Sequence, residues 1–241
     1  MPTPSIKPAA TVPKQTLVTA AYDRLRRDIQ RGVLRPGERL RLQQLGETYQ
    51  CGTGALREAL SRLVGDSMVA FEDRRGFSVP LINEKHLTDL LELRMVLEER
   101  ALRESIARGG VEWEVDVMSA FHRLSRAGEQ RKDPRIVSED WEREHGAFHR
   151  ALVGAYDFPL MHQLRETVNA QFDRYRHVYI QYASRGRDHL AEHREIMEVA
   201  LRRNADETVR LTRKHLKKTV DLLLAAGFPQ DRELTRGRSR R

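Results

Sequence analysis

Four histidines carry the most specific chemical signal in this sequence. His145 and His149 are i, i+4 neighbours in the segment WEREHGAFHRAL. On a helix that spacing sets two imidazoles one above the other, so both can meet one metal ion. His193 lies in the apolar stripe Leu190, His193, Ile196, Met197, Ala200, and His215 borders the stripe Val209, Thr212, Leu216, Val220, Leu223. A single inward histidine is usually a hydrogen-bonded core residue. Four on three facing helices would each need a separate buried partner, which a shared metal ion supplies at once. An all-nitrogen set of four neutral imidazoles leaves a divalent ion its full +2 charge, and it favours zinc, nickel or cobalt over magnesium or calcium. Arg94 is a further anomaly, sitting in the stripe Leu87, Leu90, Leu91, Arg94, Leu97, Glu98, Ala101. A buried guanidinium needs an anion. Glu98, one turn later, and the carboxylate of a bound ligand are the two candidates, and the sequence leaves both open.

These residues must be positioned by helices. From Asn83 onward no strand is evident. Periodicity predicts helices over Glu84–Arg108, ended by Gly109-Gly110, then Glu112–Ala127, Val137–Ala155, Pro159–Ala183, Asp188–Arg203 and Ala205–Ala226. Lys132-Asp133-Pro134 reads as a break. Six helices with short connections make an antiparallel bundle with the histidines facing its interior.

The N-terminal third has a different character. Leu56, Ala59, Leu60, Leu63 and Val64 form one helix face, and Thr53, Arg57 and Ser61 fall on the opposite one. Val69-Ala70-Phe71 reads as a strand, Asp73-Arg74-Arg75-Gly76 as a tight turn, and Phe77 to Pro80 as the returning strand. Upstream, Val18, Ala21, Tyr22, Leu25 and Ile29 make a helical stripe stopped by Gly32, and Leu40, Leu42 and Leu45 lead into a short helix ending near Tyr49. The order helix, short helix, helix, basic-tipped hairpin is that of a winged helix-turn-helix, whose third helix enters the major groove while the wing touches phosphates.

Composition agrees with a polyanionic partner. The 241 residues hold 43 Lys+Arg against 35 Asp+Glu, a net charge of +8. The single cysteine, Cys51, excludes an intramolecular disulfide and fits a reducing compartment. No apolar run approaches the length of a membrane span, and residues 1–16 lack a signal-peptide core. The expectation is a cytoplasmic protein with a disordered arm over 1–16 and a basic, apolar-poor tail over 227–241. There is no serine nucleophile motif and no phosphate loop, so no enzyme is expected.

The segments GVLRPGERL, LREAL and RRGFSV resemble the N-terminal domain of GntR-family transcriptional regulators throughout residues 17–80. The resemblance implies DNA contacts from Arg41, Thr53, Arg57, Arg74 and Arg75, with Gly76 as the wing-tip glycine. One departure stands out. Where the family has Ser-Arg-x-Pro opening the recognition helix, this chain has Gly52-Thr53-Gly54-Ala55. An arginine contact is missing there, and Thr53 is expected to serve as N-cap. Residues 84–226 resemble the FCD domain of FadR-type members, through FHRAL, EHREIMEV and TRKHL. That domain holds a divalent ion on three histidines and one aspartate. His149, His193 and His215 match the histidines, and His145 stands in the aspartate's place. The family also places an arginine facing the ligand, which Arg94 matches. EWEVDV, WEREHGAFHRALVGA and RYRHVYI resemble a subgroup of repressors that sense glutarate-type dicarboxylates. The resemblance implies a mainly α homodimeric repressor, released from a palindromic operator by a small organic acid. Two rivals stay open: a metal-responsive regulator, and a metal-dependent enzyme on a helical bundle.

Overall fold

In the computed structural model, residues 16–130, 138–183 and 187–225 are described. Residues 1–15 of the arm expected over 1–16, the Lys132-Asp133-Pro134 break and the tail over 227–241 lie outside them.

The N-terminal unit begins at α1 (Leu17–Gln30), where the Thr16 hydroxyl accepts the Thr19 N–H at 3.2 Å. After the turn at Gly37 come α2 (Leu42–Tyr49) and α3 (Thr53–Gly65). Gln50, in the left-handed region at φ 51°, makes the sharp turn between them. The hairpin pairs β1 (Ala70–Glu72) antiparallel with β2 (Gly76–Ser78), Phe71 opposite Phe77. Arg74 and Gly76 both have φ near +70°, at 65° and 75°, which closes the two-strand turn. One core joins the three helices and the hairpin: Leu25, Leu56, Ala59, Leu60 and Leu63 are fully buried in it.

The second unit is all α among the described residues. It comprises α4 (Glu84–Arg108), α5 (Val111–Glu129), α6 (Glu139–Leu152), α7 (Pro159–Ala183), α8 (His189–Leu201) and α9 (Ala205–Ala225). Side chains cap most of their starts. Asn83 accepts from the His86 N–H, Ser138 from Trp141 and Asp188 from Ala191. Helix α6 stops at Leu152, three residues short of the Ala155 end that periodicity suggests. There the Ala155 N–H turns away to the Ser105 hydroxyl on α4 at 3.0 Å, so tertiary bonding replaces the next helical bond. No described helix is long and apolar enough to cross a membrane.

Helix α7 is the seam between the units. Its Ala170 is buried in the N-terminal core. Gln171 donates to the Asp66 carbonyl at 3.3 Å, and the buried Arg174 donates to the Pro80 carbonyl at 2.7 Å. Arg31 of α1 pairs with Glu139 of α6 at 2.5 Å across the same seam.

Candidate functional site

Helices α6, α8 and α9 bring His145, His149, His193 and His215 together. All four are buried, and one ring nitrogen from each lies within 4.8 Å of the others. The His149 Nε2 is 3.2 Å from both His145 Nε2 and His193 Nε2. A tetrahedral ion with metal–nitrogen bonds of about 2.0–2.1 Å sets its ligand atoms roughly 3.3–3.4 Å apart, so these separations fit a transition-metal cage.

The outer nitrogens are tied down in the way metal-binding histidines require. His193 Nδ1 donates to the His189 carbonyl at 2.6 Å, and His215 Nδ1 to the Glu192 carboxylate at 2.8 Å. Each bond leaves Nε2 unprotonated and aimed at the centre. Glu192 is itself gripped by Arg187 at 2.5 Å and Lys218 at 2.7 Å. Burial pushes the Glu192 carboxyl up, but His215, Arg187 and Lys218 together hold it well below the usual range. His145 stacks on Trp141, ring centroids 4.6 Å apart and 14° from parallel.

Burial, reinforced by the neighbouring cations, keeps His145, His149 and His193 well below the ordinary imidazole value, and His215 below it as well. The donor set is therefore neutral at pH 7, as a metal ligand must be. A stability consequence follows for the ion-free protein. The unfolded chain protonates these histidines below about pH 6.5 while the folded chain does not. The unfolded state then binds more protons, so stability rises with pH and is lost as pH falls below that value. The thermal midpoint of chelator-treated protein is expected to drop between pH 7 and pH 5. A flat or rising midpoint across that window contradicts the neutral-cluster reading.

Arg94 is 6% exposed. Its Cζ lies 4.7 Å from the Phe172 ring centroid, and its Nε has no hydrogen-bond partner. Glu98, one of the two candidate partners, stands 3.9 Å from that Nε and has turned elsewhere. Both of its oxygens accept from Arg165 of α7 at 2.8 Å. Burial lowers the Arg94 pKa, opposed by Glu98 and Asp173. A cleft of about 20 Å3 joins Arg94 to His145 and His215. That is room for one water.

On the N-terminal unit, Arg41, Thr53, Arg57, Arg74 and Arg75 are all exposed. Thr53, Arg57 and Ser61 share the outer face of α3, away from its buried leucines. The expected role of Thr53 as N-cap is corrected. Gly52 occupies the cap, with φ −62° and ψ 148°, and no side chain caps the helix. Thr53 is the first helical residue, because the extended Gly52 already supplies the entry geometry, and its hydroxyl is left facing outward.

Sequence reasoning missed Arg165, Arg187 and Glu192. Glu192 directly precedes His193, so an acidic neighbour of a ligand was available as a signal. Arg165 acts across helices and left none.

A winged helix-turn-helix carried by a helical domain with a buried histidine centre defines a DNA-binding transcriptional regulator. Residues 17–79 match the family model for bacterial regulatory proteins of the gntR family, and residues 89–218 match the FCD domain. The chain is 34% identical over 215 residues to the HTH-type transcriptional regulator BphR of Paraburkholderia xenovorans, covering 89% of this chain and 88% of that one. It is 32% identical over 209 residues to the HTH-type transcriptional repressor GlaR of Escherichia coli, covering 85% and 94%. In fold it is similar to E. coli McbR/YncC, with a TM-score of 0.74 at 17% identity over 87% of this chain and 98% of that one. A GntR regulator from Rhodococcus sp. RHA1 gives a TM-score of 0.68 at 22% identity, covering 88% and 99%. The chain belongs to the GntR family of transcriptional regulators and carries an FCD effector domain.

Proposed function

We propose that this regulator is a repressor, homodimeric on a palindromic operator, whose FCD domain binds a divalent transition-metal ion and a small organic acid. Residues 17–80 read DNA and residues 84–226 sense the acid. The observation that carries the reading is the convergence of four buried, neutral histidines inside the effector domain. Zinc or nickel suits the all-nitrogen donor set. When bound, the ion supplies a fixed positive charge that attracts a carboxylate. Arg94 supplies a second one, since its Nε lacks a partner and Glu98 is committed to Arg165. A carboxylate oxygen fits the narrow cleft, which has room for a group the size of one water. The similarity to the repressor GlaR supports repression, and the dicarboxylate-sensing subgroup that the sequence resembles supports a glutarate-like acid.

Two experiments test this. DNA release by zinc-loaded protein should require the acid, not the metal alone; release by metal alone favours the metal-sensor reading. In calorimetric titration, Arg94→Ala is expected to lose at least tenfold in glutarate affinity, in line with losing a charge-assisted contact of about 1.5–3 kcal/mol. Its metal content and operator affinity should stay at wild-type levels. An unchanged glutarate affinity removes Arg94 from the acid site.

A further inference from the structure

A second cavity bears on how the acid would reach the DNA-binding domain. It measures about 450 Å3 and lies where α1 meets α6 and α7. Small-molecule sites commonly occupy roughly 300–1,000 Å3. Its wall includes His149 of the histidine centre and also Arg26 and Gln30 of α1. One cavity therefore touches both the histidine centre and the DNA-binding domain.

Its charge is cationic. Arg26, Arg150 and Arg165 face it, against Glu166 and Asp173. Arg165 is committed to Glu98, and Asp173 to Arg176 at 3.2 Å. Arg26 and Arg150 make no ion pair among the described residues, which leaves two guanidinium groups against Glu166. Two buried donors on the wall lack partners, Arg26 Nε and Arg165 Nε, beside one unpaired acceptor, Asn169 Oδ1. The Arg165 side chain is only 3% exposed. Unpaired buried donors are costly, so a built cavity with this lining suits an anion with several acceptor oxygens.

We propose that this interdomain cavity is the distal half of the effector site, with Arg26 of α1 binding the far carboxylate of a short dicarboxylate whose near carboxylate lies at the histidine centre. The inference rests on the acid-sensing reading above. It gives that reading a coupling route. The buried face of α1, Ala21, Leu25 and Ile29, shares one core with Leu56, Leu60 and Leu63 of α3. A carboxylate held between α1 and α7 biases the placement of the whole DNA-reading unit against the effector domain. A monoacid fills the near half alone and leaves α1 untouched.

The test is calorimetric titration of glutarate and of acetate into zinc-loaded, full-length wild type, Arg26→Gln, Arg26→Lys and Arg150→Gln, with the thermal midpoint of each recorded first. Arg26→Gln should bind glutarate at least tenfold more weakly and acetate as well as wild type does. Arg26→Lys should recover part of the loss, because it keeps the charge without the fork. Arg150→Gln, at an exposed side chain of the same cavity, should show the same selective loss and carries the test if Arg26→Gln does not fold. Glutarate should also fail to release Arg26→Gln from operator DNA that it binds normally without acid. Wild-type glutarate affinity in both folded glutamine variants overturns the inference alone. Absence of binding by either acid to wild type overturns the acid-sensing reading beneath it.

Discussion

Replacing His149 with alanine is expected to empty the metal centre and lower the melting temperature by about 10 °C. His149 is central to the histidine cluster, since its Nε2 stands 3.2 Å from the Nε2 atoms of both His145 and His193. An ion that binds the folded state stabilises it by RT ln(1 + [L]/Kd), about 4 kcal/mol when free metal is a thousandfold above Kd. For a chain of this size each kcal/mol moves the midpoint by roughly 2–4 °C. Chelation should produce a similar drop in wild type and almost none in His149→Ala, which separates loss of metal from loss of packing. His145→Asp makes the complementary case. It restores the aspartate of the resembled FCD site, and it should still hold metal. Elemental analysis of gently purified wild type showing no transition metal, with no uptake on dialysis against zinc or nickel, would defeat the metal centre altogether.

Most of the elements were legible because their signals are local. Helix α4 spans Glu84–Arg108, where its apolar stripe and the following glycines put it, and α7 spans the expected Pro159–Ala183. The four histidines could be placed on inward faces because 3.6-residue periodicity assigns a face without knowledge of the partner helices. What escaped depends on packing between elements distant in sequence. Glu98 lies one turn from Arg94, and i, i+4 spacing alone would pair them. The bundle instead delivers Arg165 from α7, whose guanidinium meets both Glu98 oxygens at 2.8 Å. A single buried Arg165 Nη2 shared by both oxygens at 2.8 Å wins over a 3.9 Å contact. The grip of Lys218 on Glu192, and the cavity that α1 closes against α7, are likewise products of tertiary approach. The misplaced cap at Thr53 has a different origin: propensity favours Thr over Gly only slightly at that position, and the backbone conformation of Gly52 settled it.

Arg57→Ala is expected to abolish specific operator binding while leaving the fold intact. Arg57 is exposed on α3, one turn from Thr53 and one turn from Ser61, whereas Leu56 and Leu60 are 0% exposed. The side chain takes no part in the core, so its truncation should cost little stability. From a recognition helix in the major groove it reaches base edges, where a bidentate arginine–guanine pair discriminates by about 1–3 kcal/mol. A homodimer on two half-sites doubles that to about 2–6 kcal/mol, a loss of roughly thirtyfold to ten-thousandfold. The wing should respond differently. Arg74 and Arg75 sit on an exposed turn, where Arg75 already pairs loosely with Glu72 at 3.0 Å. As phosphate contacts they carry no sequence information, so Arg74→Ala and Arg75→Ala should weaken specific and nonspecific DNA alike and flatten the salt dependence by about one charge each. The measurement is fluorescence anisotropy on DNA selected by the wild-type protein, set beside a scrambled duplex, at several salt concentrations. If Arg57→Ala retains wild-type preference for the selected sequence, α3 presents a different face to the groove than its exposed one, and the placement of the reading surface on Thr53, Arg57 and Ser61 is wrong.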